Sequence, residues 1–388
     1  MDDDGKTIIP FEYDNVNEFN DSLAIVQKDN LWGIINKKNE VVIPFEYTEV
    51  NPFREGLALV KKDNLWGYIN MSNNVAIPFE YTDAGSFSDG LARVEKDGRK
   101  FFIDTTGRAV FYVDDYSSCD GFYHGLCKVT KNEKKGFIDT HGNLVIDAKY
   151  EIIRSYNQGL YEAYIDGHWG VINTAGEAII PFIYKKIYSA DGYYLVKKDS
   201  KWGILDSNNK VVIPIEYDFL DLFHEGLAKA ERNGKTGFID KNNRVVIPFQ
   251  YDGAFEFVNG LSVVFIGNKF GFIDKQNRRV VPLKHDVTCS FKPKNALADV
   301  SLNDKWGCVN SAGKVVIPVI YDTTTIVGDY VILRKNGKEA VYDKNGNVCI
   351  PFQYDWIRHY RGNLFSVGEG GLKSGVVNAQ GQIIVPIE

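Results

Sequence analysis

Apolar residues along this chain fall in short runs of about six. They do not recur at i, i+3, i+4 and i+7 over several turns, the spacing an amphipathic helix requires. One run reads Leu31-Trp32-Gly33-Ile34-Ile35-Asn36, a second Val41-Val42-Ile43-Pro44-Phe45-Glu46-Tyr47, and a third Gly56-Leu57-Ala58-Leu59-Val60. Each is rich in Val, Ile, Tyr or Leu, and turn-forming stretches such as Lys62-Asp63-Asn64, Asp97-Gly98 and Asn233-Gly234 separate them. The pattern predicts strands and an all-β chain.

The runs repeat in fixed order. Trp-Gly returns at Trp66-Gly67, Trp169-Gly170, Trp202-Gly203 and Trp306-Gly307; the glycine alone returns at Gly136, Gly237, Gly271 and Gly375; Phe101 and Ala340 hold the same phase. From Gly33 to Gly375 the ten intervals average about 34 residues. Ten of the twelve prolines, Pro10 through Pro386 and excluding Pro52 and Pro293, share one recurring context, Ile-Pro-Phe-Glu-Tyr or a variant of it. A period this regular replaces a count of domains with a count of repeats. The expected unit is a three-stranded antiparallel meander of strands a (Gly-Leu-Ala-x-Val), b (Trp-Gly-x-Ile) and c (Val-Ile-Pro-Phe-x-Tyr), with about eight residues, such as Thr48 to Glu55, leading to the next. About eleven such units fill residues 1–388 as one array, degenerate near 99–165 and 323–375.

Proline cannot donate to a ladder, so strand c is expected at a sheet edge with b inside. Consecutive apolar residues in b and c predict that both sheet faces are covered, each meander lying between its neighbours. The glycine after Trp is expected to let a ring from the adjoining layer lie on the backbone, and the tryptophans to be core. The N-terminal strand c, Thr7 to Tyr13, is surplus to the a–b pairs. That favours an open, superhelical β-repeat array over the alternative, a closed propeller-like ring, and a run of repeats without a second domain.

These motifs together resemble the WG repeat family of bacteria, also called KWG repeats, over essentially Thr7 to Ile387. The resemblance implies a β-repeat protein whose repeats serve as an interaction surface, in a family without a common enzymatic activity.

Composition narrows function further. Apolar residues make up 44% and charged residues 25%, which excludes intrinsic disorder, and the net charge of −6 with interspersed signs argues against nucleic acid or an anionic membrane. No apolar run reaches the length of a membrane span and no leader pattern opens the chain, so a soluble protein is expected, with the cytoplasm slightly favoured. Cys119, Cys127, Cys289, Cys308 and Cys349 show no CxxC or zinc spacing, and buried free thiols are expected. Neither a metal nor a cofactor is expected. The phosphate-loop, dinucleotide-binding, zinc-protease and nucleophile-elbow motifs are missing. The six histidines fall at different phases, and Cys119 with His124, the nearest approach to a nucleophile and base, lacks an orienting residue.

Glu12, Glu46, Glu80 and Glu216 share one phase with Gln250, Gln353, Ile183 and Ile320, which reads as a solvated strand face. Asn36, Asn70, Asp104, Asp139, Asp206, Asp240 and Asp274 close strand b and are expected to cap hairpin turns. The most variable position of strand a reads Ile25, Leu59, Arg93, Lys128, Glu162, Leu195, Lys229, Val263 and Asp299, and is expected to reach solvent as a stripe. Arg93, Lys128, Glu162 and Lys229 are therefore candidate interaction residues. Asp114, Asp115 and Tyr116 join them from the degenerate stretch Arg99 to Lys131. The expected activity is non-enzymatic scaffolding of a protein or peptide, the alternative a glycan or cell-envelope binding module.

Overall fold

The computed structural model describes residues 9, 12–20, 22–157, 159–288, 297–370 and 373–387, and the side chains of 156, 157, 287 and 288 are left aside. Cys289 and most of the surplus Thr7–Tyr13 strand lie outside the described residues. The chain forms two compact units, residues 1–183 and 184–388, and the division falls at the end of the strand Ala178–Tyr184.

Among the described residues eleven antiparallel sheets follow one another, and each has four strands in sequential order. The second is representative, with Glu49–Val50, Leu57–Lys62, Leu65–Asn70 and Val75–Tyr81. The last three are the expected strands a, b and c, with c at the edge and b inside. The extra strand comes from the residues expected to be a plain connection. Glu49 and Val50 pair with Lys61 and Val60 of strand a, so this leading strand forms the opposite edge.

Two kinds of turn set the meander. Strands a and b join through two residues that both take positive φ, Asp63 at 52° and Asn64 at 65°, the mirror-image turn whose twist matches a hairpin. Between b and c, the residue closing strand b folds its side chain back as an Asx turn. Asn70 Oδ1 accepts from the N–H of Ser72 at 3.0 Å and of Asn74 at 3.0 Å. All seven predicted caps make this pair of bonds.

Strand c does not run straight along b. Trp66 pairs with Tyr81 and Tyr68 with Ile77, so Pro78, Phe79 and Glu80 together stand opposite Gly67 alone. This wide bulge explains three motif residues at once. Proline needs no ladder partner there, and the glycine lies under the bulge: a Cβ on Gly67 would sit 2.9 Å from the Phe79 ring and 3.0 Å from the Ile77 carbonyl oxygen. The ring over the glycine therefore belongs to the same sheet, not to the adjoining layer as expected. Phe101, which replaces the glycine, faces Tyr112 directly without the wide bulge, and only the shift between Phe102 and Ile103 remains, whereas Ala340 keeps the wide bulge, Glu339 pairing with Tyr354 and Val341 with Ile350. Proline is dispensable, since Asp147-Ala148-Lys149 bulges over Gly136 without one.

Alternate residues send side chains to opposite faces, and both faces pack. In the first unit, Ile25, Ile34, Ile43 and Tyr47 of one sheet meet Ala58, Val60 and Ile69 of the next. That sheet in turn presents Leu59, Tyr68, Ile77 and Tyr81 to Phe87, Ala92, Val94, Phe101 and Ile103. In the second unit, Leu195, Trp202, Ile204, Ile213 and Tyr217 meet Leu220, Ala228, Ala230 and Ile239 in the same way. Trp202 is buried, while Trp32, Trp66, Trp169, Trp306 and Trp356 are half-buried. Lys61 lies 5.1 Å over Trp66 from the neighbouring strand a, and Arg154, on the leading strand, lies 4.8 Å over Trp169.

Polar groups also link successive sheets. The tyrosine closing strand c donates to the asparagine of the next b–c turn, Tyr47 to Asn73 at 2.8 Å, Tyr217 to Asn243 at 2.6 Å and Tyr251 to Asn277 at 2.7 Å. Those asparagines hold positive φ of 60–61°. The glutamates read as a solvated face are half-exposed and pair across the interface, Glu46 with Lys62 at 2.8 Å, Glu80 with Lys96 at 2.8 Å and Glu216 with Arg232 at 2.7 Å. In the second unit the aspartate after the tyrosine clamps two repeats. Asp252 accepts from Lys235 at 2.6 Å and from the Gly267 N–H of the next a–b turn at 2.6 Å, and both hold its carboxyl below the usual carboxylate range.

Candidate interaction clefts

The variable position of strand a does not form a solvent stripe. Leu59 is 3% exposed, Val263 2%, Glu162 8% and Asp299 8%, because this residue points into the inter-sheet face. A residue can vary there when a neighbour neutralises it. Arg93 pairs with Asp83 at 2.6 Å, Lys128 with Asp120 at 2.9 Å and Lys229 with Asp221 at 3.3 Å, the aspartate coming from the leading strand each time. Arg93, Lys128 and Lys229 are half-buried and Glu162 is buried, which overturns the expectation that they line an exposed stripe.

The leading strands, by contrast, part from one another and leave clefts. In the first unit one cleft of about 330 Å3 lies between the third and fourth sheets, where Arg93, Asp83 and Lys100 face Tyr116, Ser118 and Cys119. Two separately predicted groups, Arg93 and Tyr116, thus meet in one place. Asp120 belongs to both this cleft and a second of about 210 Å3, which Tyr123, Lys128, Phe137 and Tyr161 line. An apolar cleft of about 390 Å3 near the N-terminus is lined by Ile25, Ile34, Pro52, Phe53 and Met71.

The loop after Tyr112 shapes the Arg93 cleft. Asp114 accepts from the Lys100 N–H at 2.7 Å and from Arg99 Nε at 2.6 Å, and these bonds hold its carboxyl below the usual range. Asp115 pairs with Lys131 at 3.2 Å, and the same ammonium lies 5.8 Å over the Tyr116 ring. Burial pushes the Tyr116 hydroxyl up from its ordinary value. Asp114 therefore fixes the loop, while Tyr116 lines the cleft.

In the second unit a cleft of about 750 Å3 opens beside Trp306, Thr323, Thr325, Glu339, Arg358 and His359. Glu339 stands where other units carry Trp and is only 7% exposed; it accepts from the Ile357 N–H at 2.6 Å. The departure Glu339-Ala340 was visible in the sequence, but the cleft depends on three successive sheets and has no local signal.

Exposed aromatics recur on or beside the leading strands. Tyr123 is 71% exposed, Tyr360 62%, Tyr188 50% and Phe255 49%. The histidines are dispersed: His124 packs on Tyr123, His224 lies 3.3 Å from Glu256, His359 contacts the Gly362 carbonyl and His285 is buried. Cys119 lies against Cys127, not paired as a nucleophile to an oriented base. Among the described residues no group of three His, Cys, Asp or Glu is placed to hold a metal ion, and no helix is long and apolar enough to cross a membrane.

A family model described as "WG containing repeat" matches nine segments, residues 1–32, 32–66, 66–99, 136–167, 169–202, 202–235, 237–270, 306–338 and 341–372. No curated protein sequence matches the chain. Among solved structures, a eukaryotic initiation factor is similar at 12% identity, with 87% of this chain and 96% of that chain covered and a TM-score of 0.35. Kluyveromyces lactis Hsv2p is similar at 13% identity, over 76% of this chain and 96% of that one, with a TM-score of 0.30. At such scores nothing about activity or partner passes from them to this chain.

Proposed function

The chain belongs to the WG repeat family, and from that premise we propose that it is a non-enzymatic scaffold that binds a protein or peptide along the leading-strand edge of its sheets. The observation that carries this reading is Tyr123, which is 71% exposed on that edge and lines a cleft with Lys128 and Tyr161, while Tyr188 and Tyr360 stand exposed on other leading strands. Exposed aromatic residues beside a concavity are the usual anchors of a protein interface, and a peptide side chain fits a cleft of a few hundred Å3. The mixed charge there, Asp83 and Asp120 beside Arg93 and Lys128, suits a peptide better than a polyanion.

Glycan recognition is supported less well. None of the six tryptophans is exposed, so stacking on sugar would fall to Tyr123, Tyr188 and Tyr360. Random peptides displayed on phage and panned against the chain test the proposal, beside a glycan array. A selected peptide should bind the native chain and lose at least tenfold in affinity to Tyr123→Ser/Tyr188→Ser/Tyr360→Ser, while Tyr112→Ser, on strand c, leaves it unchanged. Glycan binding without any peptide enrichment would defeat the reading.

A further inference from the structure

Cys119 and Cys127 were expected to be separate buried thiols, eight residues apart. The leading strand Ser118–Tyr123 and strand a of the same sheet, Leu126–Lys131, bring them together. Cys119 pairs with Val129 and Phe122 with Cys127, and the irregularity between these pairs swings the two cysteines toward each other. Their sulfurs lie 2.8 Å apart, well inside the contact distance of two unbonded sulfur atoms, and Cys127 Sγ also donates to the Asp120 carbonyl at 3.3 Å. Closing this gap to a bond of about 2.05 Å needs a movement of only about 0.8 Å.

We propose that Cys119 and Cys127 form a reversible cross-strand disulfide by exchange with a low-molecular-weight disulfide. Access orders the steps. Cys119 is half-buried and lines the Arg93 cleft, whereas Cys127 is fully buried. The Cys119 thiolate attacks one sulfur of the external disulfide, whose S–S bond breaks and releases one thiolate. Cys127 then attacks the Cys119 sulfur, forming the intramolecular bond and expelling the second thiolate. Two protein thiols are oxidised, one small disulfide is reduced to two thiols, and the two cysteine protons pass to the leaving groups. The hydrogen bond to Cys119 and burial both push the Cys127 thiol up, in keeping with its place as the second thiol to react.

The bond would act on the clefts directly, because Asp120 lies between the two cysteines, belongs to both clefts and loses its Cys127 donor on oxidation. The inference stands apart from the interaction proposal, since its chemistry needs no partner. The test treats the reduced native chain with oxidised glutathione, removes the oxidant, and then alkylates in denaturant before mass spectrometry. Two of the five cysteines should escape alkylation in a monomeric chain, and non-reducing proteolysis should yield one peptide pair linked through Cys119 and Cys127. Cys127→Ser should instead retain glutathione on Cys119, and Cys119→Ser should leave Cys127 unmodified. Alkylation of all five cysteines, glutathione persisting on Cys119 of the native chain, or a disulfide between two chains would overturn the proposal.

Discussion

Replacing Gly237 by valine tests the relation between glycine and bulge that recurs through the chain. Gly237 stands opposite the bulge of its own strand c, and a Cβ there would lie 2.6 Å from the Ile247 carbonyl oxygen and 3.0 Å from the Phe249 ring. An unstrained carbon would sit roughly 0.5 to 1 Å farther from each, so strand c must lift, and the two methyls of valine press further on the ring. Overpacking of this kind costs about 1–3 kcal/mol, and valine lies at the upper end. Loss of backbone freedom in the unfolded chain returns about 0.4–1 kcal/mol, leaving a net destabilisation of roughly 2 kcal/mol. Ala340, which keeps its bulge, shows that one methyl can be accommodated, so Gly237→Ala should cost under half as much as valine. Urea unfolding gives the free energies, and amide hydrogen exchange over Lys235–Tyr251 should show that the loss is local, as expected where repeats contact only neighbours. Valine within about 0.5 kcal/mol of the native chain would refute the steric account.

Three further outcomes follow from the polar links. Tyr251→Phe removes the bond to Asn277 and should cost about 1 kcal/mol, while Tyr251→Phe with Asn277→Gly should cost less than the sum of the single changes in a double-mutant cycle of urea unfolding. Burial lowers the His285 imidazole below its ordinary 6.5, so the folded state resists its proton; stability should be intact above pH 6.5 and fall as the pH drops below it, and His285→Tyr, restoring the residue of that phase, should remove this acid dependence. Burial raises Tyr47, Tyr81 and Tyr321 from 10 to about 12, so their contribution is present below pH 10 and lost as the pH rises toward 12. Tyrosinate absorbance should therefore lag behind that of a denatured sample and rise together with unfolding.

Much of this fold is legible because each repeat restates it. The strands a, b and c, the edge position of the proline strand and the Asx caps such as Asn70 depend on local chemistry, and local chemistry is visible in a sequence. The features that escaped are non-local. Glu49–Val50 is too short and polar to announce a strand, and it forms only because Lys61 and Val60 offer an edge. The bulge over Gly67 is a matter of register, not composition. Variability at Leu59, Arg93 and Asp299 suggested exposure, yet the position is covered by the next sheet, and leading-strand aspartates neutralise its basic members. For the clefts, the degenerate stretch drew notice to Tyr116, but its meeting with Arg93 required knowing that adjacent leading strands part. The contact of Cys119 with Cys127 likewise rests on the irregular pairing between Cys119 and Phe122.

The most direct test of the interaction face is a hydrogen-exchange footprint of a displayed peptide selected on this chain. Protection is predicted on the leading strands, over Ser118–Tyr123, Lys186–Ala190 or Trp356–Arg361, with strand c unchanged. Protection confined to the strand c edges, such as Val41–Tyr47 and Val211–Tyr217, would contradict the account and place the binding surface on the opposite edge of the sheets.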